Sequence, residues 1–152
     1  MIISRDIPLA EITLRKYEKP ISLKERELVK KICLTLGLLQ PGDSRDVLVD
    51  ILHVLLRQKK KKKVLTSNEI EQKVIENRRK HKLQLSGIAS SNIRRQLKRL
   101  KDIFLVEKIR NGYRISEFLS LAEIYDTKID RFLIQSIVQR TREYFSKADE
   151  VF

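Results

Sequence analysis

Tryptophan is absent from these 152 residues, methionine and cysteine occur once each, and glycine and proline number only four and three. Each shortage excludes something. With Cys33 the lone thiol, no intrachain disulfide framework can form, and its apolar helical setting predicts a buried structural thiol. So few glycines and prolines, beside 41% apolar residues, exclude a disordered or linker-like chain and predict a compact, helix-rich one. Long hydrophobic runs are missing too. Residues 32–39 and 47–56 are too short or too interrupted to span a bilayer, and the N-terminus lacks an apolar signal core, so a cytoplasmic protein is expected. Abundant Lys, Glu and Ile suggests a thermophile.

The chemistry-bearing patterns are equally sparse. There is no P-loop, GxGxxG, HExxH or CxxC. The two histidines fall far apart: His53 inside a helical pattern, His81 in a basic run. Asp46 and Asp50 share a helix face at i, i+4, and the polar side of that helix is their expected place. Glu69, Glu71 and Lys73 echo the E-x-K tail of some nucleases, but on a capped helix instead of a strand. No enzymatic activity, cofactor, metal site or small-molecule ligand is expected.

What the chain does have is positive charge, +13 in all, unevenly placed. Residues 1–43 carry a net +2, residues 44–63 +5, residues 64–115 +8 and residues 116–152 −2. A chain selected only for solubility would spread this excess. Charge gathered in the middle predicts a polyanion-binding segment.

Periodicity supplies the elements. Residues 1–21 show a weak period-2 signal, consistent with a strand or extended arm ended by Pro20. Ser22 to Glu25 reads as a capping box opening a helix at about 23–36, with Gly37 as its stop. The turn "QPGDS" separates it from a second helix, from Ser44 to about Lys59, whose wide apolar stripe suits a central position. Val64 and Leu65 suggest a short strand. Thr66 to Glu69 is another capping box, opening a helix to about Lys80. Ser90 or Ser91 is the expected cap of a helix to about Lys101. Asn111-Gly112 then signals a hairpin over 104–115, with Arg110 opposite Tyr113 or a bulged, longer loop. Two further helices are expected at about 117–125 and 128–146. The class is mainly α with a small β-hairpin.

From Ser44 to Ile115 the order is helix, strand, helix, helix, hairpin. In this order and in hydrophobic pattern, over about half the chain, it resembles the winged helix-turn-helix superfamily, best known for binding DNA. The resemblance implies a recognition helix at about 91–101 in the major groove and a wing at 104–115. It divides the chain into an N-terminal arm and helix (1–43), the winged domain (44–116) and a C-terminal helical segment (117–152).

The helical wheel of 91–101 suits that role. Ile93, Leu97, Leu100 and Phe104 form a narrow apolar back. Ser91, Arg95, Lys98 and Asp102 face away, flanked by Asn92 and Arg99. Ser91, Asn92 and Arg95 are the expected base contacts, since arginine pairs bidentately with guanine and asparagine with adenine. Arg94, Lys98, Arg99, Arg78, Arg79 and the run Lys59, Lys60, Lys61, Lys62, Lys63 are the expected backbone contacts. In the wing, Lys108, Arg110 and Arg114 surround Asn111 and Gly112. Ile129, Phe132, Leu133, Ile137 and Tyr144 form the apolar stripe of a C-terminal helix expected to make a homodimer. The expected function is a sequence-specific, nucleoid-associated regulator binding double-stranded DNA. Two rivals stay open: a winged-helix interaction scaffold and a non-specific architectural DNA binder.

Overall fold

The computed structural model describes residues 18–152. The extended arm expected within residues 1–21 therefore lies almost wholly outside the described residues.

Helix α1 spans Glu25–Thr35 and α2 spans Val47–Lys59. Strand β1 is the dipeptide Leu65–Thr66, followed directly by α3, Ser67–Lys80. Helix α4 covers Ser90–Asp102. The hairpin strands are β2, Val106–Ile109, and β3, Gly112–Ile115. A 3-10 turn at Ser116–Phe118 leads to α5, Leu121–Ile124. That helix widens without a break into a π-helical stretch, Tyr125–Ile134, and continues as α6, Gln135–Val151. The chain is thus mainly helical, with one three-stranded antiparallel sheet of order β1-β3-β2.

Local chemistry accounts for several of these boundaries. The Thr66–Glu69 capping box forms in full, the Thr66 hydroxyl accepting from the Glu69 amide at 3.2 Å and the Glu69 carboxylate from the Thr66 amide at 3.1 Å. Gly37 ends α1 in the left-handed region (φ 69°), and the Leu38 amide folds back onto the Cys33 carbonyl at 2.9 Å. The other expected caps do not form. Ser22 lies outside α1, whose N-cap is Lys24, and Ala89 precedes α4 in place of a capping serine. Helix α2 begins three residues later than expected, at Val47. A single helical run from Leu121 to Val151 replaces the two separate C-terminal helices.

The hairpin turn also shifts. Ile109 pairs with Gly112, so Arg110 and Asn111 form the corner and Arg110 takes the positive φ of 54°. Gly112 belongs to β3 because β1 crosses it: Thr66 pairs with Gly112, and a Cβ there would drive into Val64.

Helix α2 is central. Val47, Leu48, Val49, Ile51, Leu52, Val54 and Leu55 are all buried, which leaves the helix little polar surface. It packs against α1, α3, α4 and β3. The same core takes Ile70 and Val74 of α3, Ile93, Leu97 and Leu100 of α4, and Ile115 of β3. Ile103, not Phe104, extends the α4 set inward; Phe104 is half-buried and meets the Phe132 ring, with centroids 5.8 Å apart. Val29 and Cys33 close one side, and Ile124 and Ile129 another. Burial pushes the Cys33 thiol up to about 12, so it stays protonated and inert. No residue of α6 is buried.

Candidate nucleic-acid interface

Helix α4 owes its orientation to its two faces. Ile93, Leu97 and Leu100 are fully buried, which fixes the tilt and turns Ser91, Arg94, Arg95 and Lys98 outward, all exposed. Its start is tied to the first half of α3, the Ser90 hydroxyl donating to Glu71 at 2.8 Å. The N-cap of that same α3, Thr66, pairs with Gly112 beside the hairpin corner. The first half of α3 thus carries a link to the beginning of α4 and a link to the strand that follows the hairpin corner.

Several expected contacts are engaged elsewhere. Asn92 is half-buried. Its Nδ2 donates to the Gly87 carbonyl at 2.6 Å, and its Oδ1 accepts from Arg95 at 2.7 Å and Gln96 at 3.1 Å. Those bonds fasten the loop before α4 and engage both ends of the Asn92 amide. Arg99 donates to the Leu38 carbonyl and to Gln96 Oε1, at 2.8 Å each. Lys98 shares its charge with Asp102 at 2.9 Å. Arg114 is half-buried in a close ion pair with Glu107 (2.6 Å), its guanidinium 4.8 Å from the Phe118 ring. Burial opposes ionisation of Glu107, but the Glu117 amide and Arg114 outweigh it and hold its carboxyl low. The hairpin thus presents Lys108 and Arg110, both exposed, with Lys108 Nζ 5.8 Å over the Tyr113 ring.

Arg78 is the largest correction. It is 1% exposed and cannot reach a phosphate. Its NH1 donates to Asp46 Oδ1 at 2.9 Å and Asp50 Oδ2 at 2.7 Å, and its Nε to the Gln84 carbonyl at 2.6 Å. Arg26 of α1 closes the group, reaching Asp50 at 3.0 Å and Asp46 at 3.1 Å. Asp46 and Asp50 therefore lie in the interior, not on a polar side. Burial opposes the charge of Asp46, but the bonds from Arg78 and Arg26 prevail and hold its carboxyl below the ordinary range. Asn77 Nδ2 donates to Asp50 at 2.8 Å and contacts His53 Nδ1 at 3.1 Å, which leaves the proton of the neutral imidazole on Nε2. That nitrogen is 3.2 Å from Glu25 Oε1 but poorly aligned for a hydrogen bond. A sequence signal for this cluster existed. In a helix apolar on nearly every side, two carboxylates one turn apart require buried cationic partners.

The lysine run does not adjoin the hairpin corner. Continuing the β1–β3 register sets Lys63 level with Ile115, about 10 Å along β3 from Gly112. Lys60, Lys61 and Lys62 form the turn after α2, where Lys62 has φ 51° and the Lys63 amide returns to the Gln58 carbonyl. Lys59 is half-buried, its Nζ on the Leu119 carbonyl at 3.3 Å. Arg79 is exposed near the far end of α3. Of the C-terminal stripe, Ile129 is buried in the core and Leu133 packs on it, so neither is open to a partner, whereas Phe132, Ile137 and Tyr144 are exposed.

A cleft runs between α4 and two loops, one holding Asp43 and Arg45, the other Ser86 and Gly87. No residue pattern marked it in advance. Among the described residues, no helix is long and apolar enough to cross a membrane. No family model, curated protein or solved structure matches this chain.

Proposed function

We propose that the chain is a winged helix-turn-helix protein that binds double-stranded DNA as a homodimeric transcriptional regulator on the nucleoid. The observation that carries this is an exposed basic face on α4, seated by a buried apolar back, in a chain whose hairpin also exposes Lys108 and Arg110. The element order and the sheet order β1-β3-β2 fit the superfamily. One feature departs from it. Nine residues, 81–89, join α3 to α4, where a helix-turn-helix turn has three or four. Ser91 and Arg95 are the proposed base contacts, with Arg94, Lys98, Lys108 and Arg110 on phosphates.

The proposed partner surface is α6. Ile137, Tyr144 and Val151 flank one side of Thr141 and Ala148, and Val138, Phe145 and Phe152 flank the other. All six flanking residues are exposed. The three aromatics alone leave roughly 400 Å² uncovered, about half of what each partner of a standard interface buries. A second copy suits this face. Helix α6 carries three basic and three acidic side chains, so a second copy meets it without net repulsion. Replacing Tyr144 and Phe145 with aspartate should give a monomer by sedimentation equilibrium; an unchanged dimer would place the interface elsewhere.

The central test is selection of duplexes from a random pool at two ionic strengths. A regulator enriches one sequence, binding it about 10³-fold or more over random duplex. Tight binding without preference would favour the architectural alternative, and weak binding at physiological salt the scaffold.

A further inference from the structure

The cleft beside α4 measures about 450 Å³ and opens to solvent. Small-molecule sites span roughly 300–1,000 Å³. Its floor is the buried pair Val47 and Leu48. Its rim carries Arg45, Arg95 and Arg99 against the single carboxylate of Asp43, a local balance of +2. A doubly positive rim over a floor with almost no open surface suits a ligand held by a dianionic end.

The rim is held in place before anything binds. Gly87 (φ 77°) presses so close that a Cβ there would stand 3.2 Å from both Asn92 Nδ2 and Val47 Cγ2. Asn92 Oδ1 steadies Arg95, the Leu38 carbonyl and Gln96 steady Arg99, and Asp43 lies 3.5 Å from Arg45 Nε. A guanidinium has five N–H donors, so each arginine keeps several beyond these contacts. Forks already oriented lose little freedom when an anion arrives.

We propose that this cleft binds a phosphate monoester. Its phosphate, carrying about −1.5 to −2 at neutral pH, is gripped by Arg45, Arg95 and Arg99, and the rest of the ligand points to solvent. Arg95 belongs to both the cleft and the proposed DNA face, so ligand and duplex exclude one another, each weakening the other by the same factor. That competition rests on the DNA proposal; the ligand site does not.

Calorimetry on the full chain, with adenosine monophosphate, inorganic phosphate and adenosine as probes, tests the site. The monophosphate and inorganic phosphate should both bind, each about tenfold or more tighter than adenosine. Arg45→Gln should weaken monophosphate binding about tenfold and leave duplex affinity unchanged, because Arg45 is 86% exposed and lies outside α4 and the hairpin. Ser86→Asp, a carboxylate added at the rim, should act likewise without touching the core. The site is refuted if the monophosphate binds no tighter than adenosine, or if both substitutions leave its affinity intact. Displacement of a labelled duplex by the monophosphate separates the two proposals. Binding without displacement keeps the site and removes α4 from the DNA face. Duplex binding with no monophosphate binding removes the site and keeps the DNA face.

Discussion

Arg78 and Arg95 are the same residue type on neighbouring helices, each in a run of basic residues, and they have opposite fates. Arg78 lies in the interior between Asp46 and Asp50, its side chain 2% exposed. Arg95 stands on the surface with Asn92 Oδ1 as its one partner among the described residues. The difference is not in the arginines but in what faces them. Helix α2 turns two carboxylates toward α3 and none toward the outer side of α4. Buried charge must be matched where it stands, whereas exposed charge is left to act outward. The two aspartates and the two arginines Arg26 and Arg78 cancel, so the interior group adds nothing to the external field that a polyanion would meet.

The comparison is sharpest in its largest predicted effect. Arg78→Ala leaves two buried carboxylates to Arg26 and the partly exposed Lys30, and should cost about 3–5 kcal/mol in urea unfolding. A loss under about 1 kcal/mol would mean that Arg78 escapes to the surface, and the contrast with Arg95 would collapse. Next comes Arg95→Ala. It should change stability by less than about 0.5 kcal/mol, yet weaken the selected duplex by about 1–3 kcal/mol and relax its sequence preference. Unchanged binding of the selected site would remove α4 from the base-reading role.

Much of the fold was legible in the sequence because its signals are local. The Thr66 capping box, the Gly37 stop and the period-3.6 stripes of α2, α3 and α4 each depend on residues a few positions apart. The hairpin was legible in existence but not in register. Asn-Gly marks a corner when only two strands compete for the glycine, but here β1 approaches Gly112 and shifts the corner to Arg110 and Asn111. The site was less legible still. Whether an arginine on a helix faces water or a carboxylate depends on a partner 20 to 32 residues away. Asn92 and Arg114 looked free for the same reason, their partners Gly87 and Glu107 being visible only once the loop and the register are known. The exposed Ser91, Arg95 and Lys98 were legible because a narrow apolar stripe fixes the opposite face.

Acidification offers a smaller effect on the same contrast. Asp46 and Glu107 ionise more readily in the fold than in an open chain, and Glu25 is held down at about 2 by Arg57 and then His53. Their contribution is present above the ordinary carboxylate range, near pH 4, and is lost as pH falls through their lower folded values. His53, whose burial depresses its pKa, acts in the same direction: the unfolded chain takes up its proton first, near pH 6.5. In both windows the unfolded state binds more protons, so stability rises with pH. The melting temperature should hold from about pH 8 to 7, begin to fall below about 6.5, and fall again below about 4. His53→Gln should remove the first decline and leave the second. A single decline near pH 4 in the unaltered chain would mean that His53 is not held neutral by its surroundings.

The smallest predicted effect concerns the residues that look most like a polyanion site. Lys60, Lys61 and Lys62 are exposed and unbroken by acid, but the β1–β3 register carries Lys63, the end of their run, away from the hairpin corner. A duplex seated on α4 and Arg110 would pass them by. Each phosphate contact contributes about 0.9 to the slope of log affinity against log salt concentration. Replacing all three lysines with glutamine should therefore change that slope by less than about one, while replacing Lys98, Lys108 and Arg110 together should lower it by two to three. If the lysine variant loses the larger share, the duplex lies across the far end of the sheet. The exposed cations of α4 would then be, like Arg78, charges whose proper partner is protein.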